Sequence, residues 1–367
     1  MKPDVIAKPP ALPGYAGILP AFFKMITTLN KLIRRTKESC FPKGIRRTAN
    51  NHINRLTRRA TRRSLASSFS ELKIDSGSVI CVHSALSALG HLVDGPESVI
   101  LALQDAVPDC TIMMPSFPFG ETALKYASSD PVFDPLSTPS MSGLLTETMR
   151  KIPNTRRSLH PTHPCIALGP IADELIRDSE LSTTPFGDSS TYGRFSRRND
   201  AVLLLIHTNN TSIVHRFQEI VNTPNLFMPD IYNVRGNDGI GTINTYSLRI
   251  HNPLLPLFIT VAQNSDGAEY IWYPDYVVQF PSDHETRILQ RIRNVGARQF
   301  IVERQRGFYS SGVFRKARHG QAEVLAIRVA PWQDRICADL RESIARFPES
   351  YDIQALRAAK DKGLLVH

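Results

Sequence analysis

Residues 77–114 read GSVICVHSALSALGHLVDGPESVILALQDAVPDCTIMM and contain two strand signals on either side of one helix signal. Residues 77–83 are apolar and β-branched and lie between a glycine and small residues, which predicts a buried strand. Residues 96–107 start with a proline and are rich in apolar side chains, which predicts a helix. Residues 111–114 predict a second strand. A strand, a loop, a helix and a strand in this order indicate an α/β layer fold.

The remaining elements continue this alternation, and the pattern loosens after residue 224 into strands that look antiparallel. We predict further helices at 142–151, 171–177, 212–221, 283–295 and 333–346, and further strands at 165–168, 201–206, 241–250, 256–262, 269–272 and 322–329.

The net charge of +10 is concentrated at the N-terminus. Residues 1–70 carry six Lys and nine Arg against Asp4 and Glu38, whereas residues 71–367 have a net charge of −3. Apolar side chains in residues 14–35 follow helical spacing, and arginine pairs follow in 34–63. An amphipathic helix with a basic stretch suits an anionic membrane surface. An unstructured arm that binds nucleic acid weakly and a helix packed on the body remain alternatives, and the mildly acidic body argues against a nucleic-acid-binding protein.

The five cysteines indicate a reducing, cytoplasmic compartment. They are odd in number and scattered, without a C-x-x-C pair, so they predict neither a disulfide framework nor a zinc site, and we expect no metal. No run approaches the roughly 18 apolar residues that span a bilayer. We therefore expect a cytoplasmic protein, with the basic segment favouring a peripheral position at the inner face of the membrane.

Five segments, in order along the chain, resemble the aminoglycoside 3-N-acetyltransferase family. They are VHSALSALG (82–90) with DG (94–95); FDP (133–135) with MSGL (141–144) and Glu147; RRSLHP (156–161) with ALGP (167–170); FG (186–187) with SS (189–190) and SIVH (212–215) before Pro224; and GQA (320–322).

This resemblance implies a three-layer α/β/α domain with a central mixed sheet, an acetyl-CoA co-substrate, and direct transfer to an amine without a covalent enzyme intermediate. It predicts three regions: a basic extension at 1–61, the acetyltransferase domain at 62–335 and a C-terminal helical tail at 336–367.

Direct transfer to an amine needs a base, and histidine suits this task because its pKa lies near working pH. His215 is the first candidate, since it follows a buried strand on a predicted helix and matches the histidine of the family's T-x-x-H motif. A core or capping role is its alternative. His160 is the second candidate, because Pro161 restricts its backbone. Ser212 is a candidate donor to the thioester oxygen.

The coenzyme requires positive charge or backbone N–H groups for its phosphates. The loop after the first strand offers His83, Ser84 and Gly90. The third segment offers Arg156, Arg157 and Ser158. Solvated surface positions are the alternative for the two arginines.

Three positions depart from the family pattern. Gln218 stands where a glutamate usually follows the helical histidine by three residues, and Glu219 is the neighbouring carboxylate that substitutes for it in one interpretation. Leu205 replaces a glycine at the end of a strand, and Thr191 replaces a proline.

The sequence therefore predicts an acetyl-CoA-dependent N-acetyltransferase for an amino sugar or aminoglycoside-like amine, with a histidine general base. The alternative is a non-catalytic descendant of the same fold that binds a ligand or partner, and Gln218 and Leu205 favour it.

Overall fold

A computed structural model of the chain describes residues 58–208, 211–253, 260–263, 269–272, 305–346 and 348–354. The chain divides into two compact units, Met1–Arg59 and Ala60–His367, and the account below concerns the second. The amphipathic stretch predicted at 14–35 and the helix predicted at 283–295 lie outside the described residues.

A seven-stranded mixed sheet forms the centre of the second unit. Its strands are β2 (Val79–Ser84), β4 (Thr111–Pro115), β6 (Arg156–Arg157), β7 (Cys165–Leu168), β8 (Ala201–Ile206), β13 (Phe314–His319) and β14 (Ala322–Arg328). They lie in the order β13-β14-β8-β2-β4-β7-β6. Strand β2 pairs in parallel with β4 and with β8, and the remaining pairs are antiparallel.

Both faces of the sheet are covered. Alternate residues of its central strands point to opposite sides, and both sets are apolar and buried. Val79 and Cys81 of β2 pack into one core cluster, while Ile80 and Val82 pack into the other. The helices that cover the faces are α1 (Arg62–Ser70), α2 (Glu97–Ala106), α4 (Leu144–Arg150), α5 (Ala172–Ile176), α6 (Thr191–Ser196), α7 (Val214–Ile220) and α8 (Val329–Arg346), whereas the short α3 (Ala123–Ala127) packs on residues of two strands outside this sheet, Val234, Leu248 and Ile250. Within the described ranges, 3₁₀ turns lie at Leu86–Leu89, Ser179–Leu181 and Pro348–Tyr351, and residues 305–310 are helical.

The two core clusters show which helices pack on which face of the sheet. Side chains of α1, α2 and α4 contribute to the cluster that holds Ile80, and side chains of α5 to α8 contribute to the cluster that holds Cys81. Helix, sheet and helix therefore form three layers, and the predicted α/β fold with a central mixed sheet is confirmed.

A long hairpin follows α7, and the sequence predicted only the second of its two strands. Strand β9 (Phe227–Asn237) pairs antiparallel with β10 (Ile243–His251), and β9 also pairs with the short β5 (Val132–Phe133). The pairing has a bulge between Arg249 and His251, after which His251 lies opposite Phe227. The sequence pattern predicted β10 but missed β9, whose residues are largely exposed or half-buried and lack a clean apolar alternation.

The remaining short strands are β1 (Arg59–Ala60), β3 (His91–Leu92), β11 (Thr260–Gln263) and β12 (Glu269–Trp272).

Helix α8 begins at Val329, four residues before the predicted start at 333. Its residues Trp332, Ile336 and Leu340 are buried in the core cluster of Cys81. The boundary predicted between residues 335 and 336 therefore falls inside a helix that packs on the domain. Among the described residues, no helix is long and apolar enough to cross a membrane.

Candidate active site

The segments that carry the motifs adjoin one edge of the central sheet. Since β2, β4 and β8 run parallel, their carboxyl ends lie at the same edge. Strand β7 runs the other way and starts there, because Cys165 pairs with Pro115. The loops that leave or enter this edge therefore meet, as ligand sites in α/β sheets commonly require.

His215 lies in the first turn of α7, which follows β8 at this edge. Its half-buried ring places Nδ1 3.0 Å from Oε1 of Gln218 and 3.2 Å from Nδ1 of His251. Burial, with the neighbouring His251, lowers the pKa of His215 to about 3. The ring is therefore neutral at physiological pH. Among the described residues, no hydrogen bond involves its Nε2.

Glu219 occupies the buried side of this cluster, and its side chain is 7% exposed. One carboxylate oxygen accepts hydrogen bonds from the backbone N–H of Phe186 at 3.0 Å and from Nε2 of His251 at 2.8 Å. The other accepts from the Thr184 hydroxyl at 2.6 Å. Gln218 faces His215 while Glu219 faces His251, because adjacent helical residues point about 100° apart.

Aromatic rings surround the histidine pair. The Phe186 ring lies 5.2 Å from His215 and 5.5 Å from His251, and the Phe227 ring lies 5.0 Å from His251. On the other side of Phe186, His163 packs between the rings of Phe117, Phe119 and Phe186. His163, which lies between the two motifs of the third segment, is thus part of this aromatic wall.

His160 is 1% exposed and is held by its own loop. Its Nδ1 accepts from the backbone N–H groups of Thr162 at 3.3 Å and His163 at 3.1 Å. Burial is the main reason that the pKa of His160 falls to about 4. Its Nε2 is buried without a hydrogen-bond partner among the described residues, and its role as the second candidate for the base stays a prediction.

Arg157 and Ser158 are committed to internal contacts. The Arg157 guanidinium donates to the backbone carbonyls of Ser116 at 2.7 Å, Pro135 at 3.4 Å and Thr138. Ser158 is 1% exposed, and its hydroxyl accepts from the Cys165 N–H at 2.9 Å. These contacts give both side chains a structural role within the protein, and their predicted role in holding the coenzyme stays a prediction.

Arg156 differs from its neighbour. Its side chain is 50% exposed and pairs with Asp173 at 3.0 Å on the surface. An exposed pair of this kind is weak and exchanges easily with another anion.

The loop after β2 keeps its predicted position at the sheet edge. His83 ends the buried part of β2, and burial lowers its pKa to about 4. Ser84 is half-buried, and the following residue Ala85 donates its N–H to Ile206 on β8. Gly90 ends the 3₁₀ turn with a φ of +91°, a conformation that favours glycine.

The departures from the family pattern have local explanations. Leu205 is fully buried in the core and pairs with His83 and Leu325, so it fills protein interior. Thr191 starts α6, where the Ser190 hydroxyl caps the helix by accepting from the Gly193 N–H at 3.0 Å.

His251 is the residue of this cluster that the sequence did not identify. It lies 36 residues after His215, at the end of a strand with no motif of its own. The only local feature that could have identified it is its position directly after the predicted strand 241–250.

Comparison with known proteins agrees with the fold and the motifs. Residues 81–252 match the family model described as aminoglycoside 3-N-acetyltransferase. Aminoglycoside N(3)-acetyltransferase III of Salmonella is 31% identical over 179 residues, which cover 45% of this chain and 62% of that protein. Aminoglycoside N(3)-acetyltransferase VIII of Streptomyces fradiae is 31% identical over 159 residues, covering 40% of this chain and 55% of that protein. The chain thus matches less than two thirds of the length of these relatives.

Solved structures share the fold. The structure of AAC-IIIb with CoASH has a TM-score of 0.56 at 21% identity and covers 78% of this chain and 96% of that one. A mutant of aminoglycoside acetyltransferase AAC(3)-IVa in complex with a gentamicin has a TM-score of 0.53 at 19% identity and covers 79% of this chain and 90% of that one.

Proposed function

We propose that this chain is a divergent member of the aminoglycoside 3-N-acetyltransferase family, whose model residues 81–252 match, and that it transfers an acetyl group from acetyl-CoA to an amine of an aminoglycoside-like amino sugar. The observation that carries this proposal is the position of His215 at the sheet edge, where Gln218 and His251 contact its Nδ1 and, among the described residues, no hydrogen bond involves its Nε2.

In this proposal His215 is the general base. A neutral imidazole whose Nδ1 is anchored presents the Nε2 lone pair to the attacking amine, and the amine loses its proton as the new C–N bond forms. Ser212 lies in the turn that leads into α7, three residues before His215. Its hydroxyl is our candidate donor to the thioester oxygen as negative charge develops there.

For the coenzyme, the described groups that fit are the loop after β2 and one arginine. Ser84 and Gly90 offer a hydroxyl and backbone at the carboxyl end of a parallel strand, and His83 lines the same position. Arg156 offers an exposed guanidinium for a phosphate. When bound, acetyl-CoA supplies the acetyl group on an activated thioester.

The acceptor is proposed from the relatives and from the charge of the body. The relatives bear names of enzymes that acetylate aminoglycosides, and one neighbouring structure holds a gentamicin. The net charge of −3 in residues 71–367 is compatible with a cationic acceptor.

A non-catalytic descendant of the fold is the second candidate. The specific observation in its favour is that Arg157 and Ser158, inside the most distinctive motif, serve internal contacts. The two candidates separate in an acetyl-transfer assay, since a binding protein holds its ligand without turnover.

The membrane contact predicted for residues 14–63 is not part of this proposal. That segment lies almost entirely outside the described residues and before the matched region. It stays a prediction, and sedimentation of the full chain with anionic vesicles at low and high salt tests it.

The proposed activity is tested with the full chain, acetyl-CoA and a panel of aminoglycosides and amino sugars, by release of free coenzyme thiol. We expect turnover that falls by about 10²–10⁴ in His215→Ala, with coenzyme affinity by calorimetry unchanged. His319→Ala, on the remote strand β13, is the matched control and should keep full activity. Equal rates for His215→Ala and the parent would refute the role of the base, and absence of coenzyme binding at millimolar concentration would refute the proposed function.

A further inference from the structure

We infer that the acceptor of this chain carries an anionic group as well as its amine, and that Arg249 binds this group. The inference rests on the proposed function and specifies the class of acceptor, an amino sugar that bears a carboxylate or a phosphate. Three contacts in a row lead from Arg249 to the proposed base. Its guanidinium carbon lies 4.1 Å from the centre of the Phe227 ring, which in turn is 5.0 Å from the centre of the His251 ring. His251 then contacts His215, with 3.2 Å between the two Nδ1 atoms.

The bulge of the hairpin explains why Arg249 and His251 meet the same aromatic ring. Arg249 pairs with Ile231 and His251 pairs with Phe227, so two steps along β10 cover four along β9. Phe227 is half-buried at the start of β9, and Arg249 is exposed. The backbone N–H of Arg249 also donates to the Thr183 carbonyl at 2.9 Å. The arginine therefore projects from a backbone that is fixed on two sides, and functional side chains are held more precisely on strands than on loops.

The guanidinium of Arg249 keeps its hydrogen-bonding capacity. A cation–π contact is electrostatic and provides no oxygen acceptor for the five N–H donors of a guanidinium. Among the described residues, no hydrogen bond or ion pair involves the Arg249 side chain. Arg235 on the same hairpin differs, because it pairs with Asp130 at 3.0 Å. An oriented guanidinium with unused N–H donors suits two parallel hydrogen bonds to a carboxylate or a phosphate.

The carboxylates that contact the aromatic wall already have partners inside the protein. Glu219 accepts from the Phe186 N–H at 3.0 Å, and its side chain is 7% exposed. Asp188 pairs with Arg216, whose guanidinium also donates to the Phe186 carbonyl at 3.1 Å. Of the described charged side chains with a printed contact to this wall, Arg249 is therefore the one that keeps free polar donors for a ligand.

This local charge differs in sign from that of the body. The net charge of −3 in residues 71–367 describes the whole body. Binding responds to the charges near the ligand, because salt screens exposed charges beyond about 8 Å. A polycationic acceptor needs carboxylates that face it without a partner, whereas the hairpin presents a guanidinium. An amine with an anionic group satisfies both ends of the arrangement: its amine meets Nε2 of His215, and its anion reaches Arg249.

The test compares three amino sugars that have the same ring and the same amine and differ at carbon 6. Glucosamine carries a hydroxymethyl group there, glucosamine 6-phosphate carries a phosphate ester, and 2-amino-2-deoxyglucuronic acid carries a carboxylate. With the full chain and acetyl-CoA, we expect the KM of at least one acidic amino sugar to be roughly 10- to 100-fold below that of glucosamine, which is the value of a hydrogen bond to a charged group. The acidic amino sugar with the lower KM distinguishes a phosphate acceptor from a carboxylate acceptor.

Variants of the hairpin assign this difference to one side chain. Arg249→Gln should raise the KM of the preferred acidic amino sugar to that of glucosamine and leave kcat and the KM of glucosamine unchanged. Arg235→Gln, which removes the paired arginine of the same hairpin, is the matched control and should keep the difference. Arg249→Lys keeps the charge without the planar fork and should keep only part of the difference.

Three results would overturn the inference. The first is a KM for glucosamine or gentamicin at or below that of both acidic amino sugars in the parent. The second is an unchanged difference in Arg249→Gln. The third is a weaker affinity of Arg249→Gln for coenzyme A, because the guanidinium would then hold a phosphate of the coenzyme.

A binding experiment without acetyl-CoA keeps this inference separate from the proposed function. Calorimetric titration of the full chain with each acidic amino sugar should show binding of at least one, which Arg249→Gln weakens by roughly 10- to 100-fold and Arg235→Gln leaves unchanged. Should the chain acetylate no amine, the proposed function fails, and this titration alone decides the anion site. Absence of binding of both acidic amino sugars at millimolar concentration, or equal affinity in Arg249→Gln, would refute it.

Discussion

Replacing Arg157 with alanine is expected to destabilise the domain and to leave coenzyme binding intact. Its guanidinium contacts two other chain segments, through the carbonyl of Ser116 in one and those of Pro135 and Thr138 in the other, and lies 4.9 Å over the Phe133 ring. These contacts connect the loop after β4 to the loop after β5. Their loss leaves three acceptors without the cation that satisfied them.

The magnitude follows from two opposing contributions. Three hydrogen bonds from a charged donor, at about 2 kcal/mol each, sum to roughly 6 kcal/mol. Burial lowers the pKa of Arg157 to about 10. A fall of this size from its ordinary value corresponds to a free-energy cost of about 3 kcal/mol for keeping the side chain charged. The net expectation is a loss of about 3 kcal/mol, and for a unit of this size about 2 °C per kcal/mol gives a Tm lower by about 6 °C.

The assay is thermal and urea unfolding followed by circular dichroism, with calorimetric titration of coenzyme A well below the Tm. Arg156→Ala is the matched control: it removes the adjacent guanidinium, whose single exposed pair with Asp173 contributes about 0–1 kcal/mol. A Tm for Arg157→Ala within 1 °C of the parent (about 0.5 kcal/mol), together with weakened coenzyme binding, would refute the structural role and restore the coenzyme contact.

Three further substitutions probe the core and the support of the site. Gly187→Ala brings a Cβ within 2.5 Å of the Thr184 hydroxyl and should destabilise by about 1–3 kcal/mol, whereas Gly307→Ala, a helical position with open space around its Cβ, should unfold no more easily than the parent. Leu205→Ala should lower the free energy of unfolding by about 2–5 kcal/mol; tighter coenzyme binding without that loss would show that Leu205 occupies ligand space. The pKa of Glu147 is lowered to about 2, chiefly by Arg150, so its contribution is present above its ordinary pKa and lost as pH falls toward 2. Urea unfolding should show Glu147→Gln less stable at pH 7 by at most about 3 kcal/mol, with a gap that closes near pH 2; an unchanged gap would contradict this.

The layers of the fold were readable from local pattern. The apolar run that became β2 and the helix α2 behind it are buried because of their own composition, and burial of short apolar segments is encoded within a few residues. The same holds for β8, whose six residues are all buried. Motif order added the resemblance to a family and the choice of His215, on the helix that follows β8, as a candidate base.

What the tertiary structure decided is the partner of each polar side chain. The sequence places Gln218 and Glu219 side by side near a histidine. Only the fold shows that Glu219 contacts His251, which lies at the end of a hairpin with a bulge, distant in sequence. Likewise, nothing local distinguishes Arg156 on the surface from Arg157 among three carbonyls. The physical reason is that apolar burial depends on periodicity along the chain, whereas a hydrogen bond depends on which remote segment the fold brings within about 3 Å.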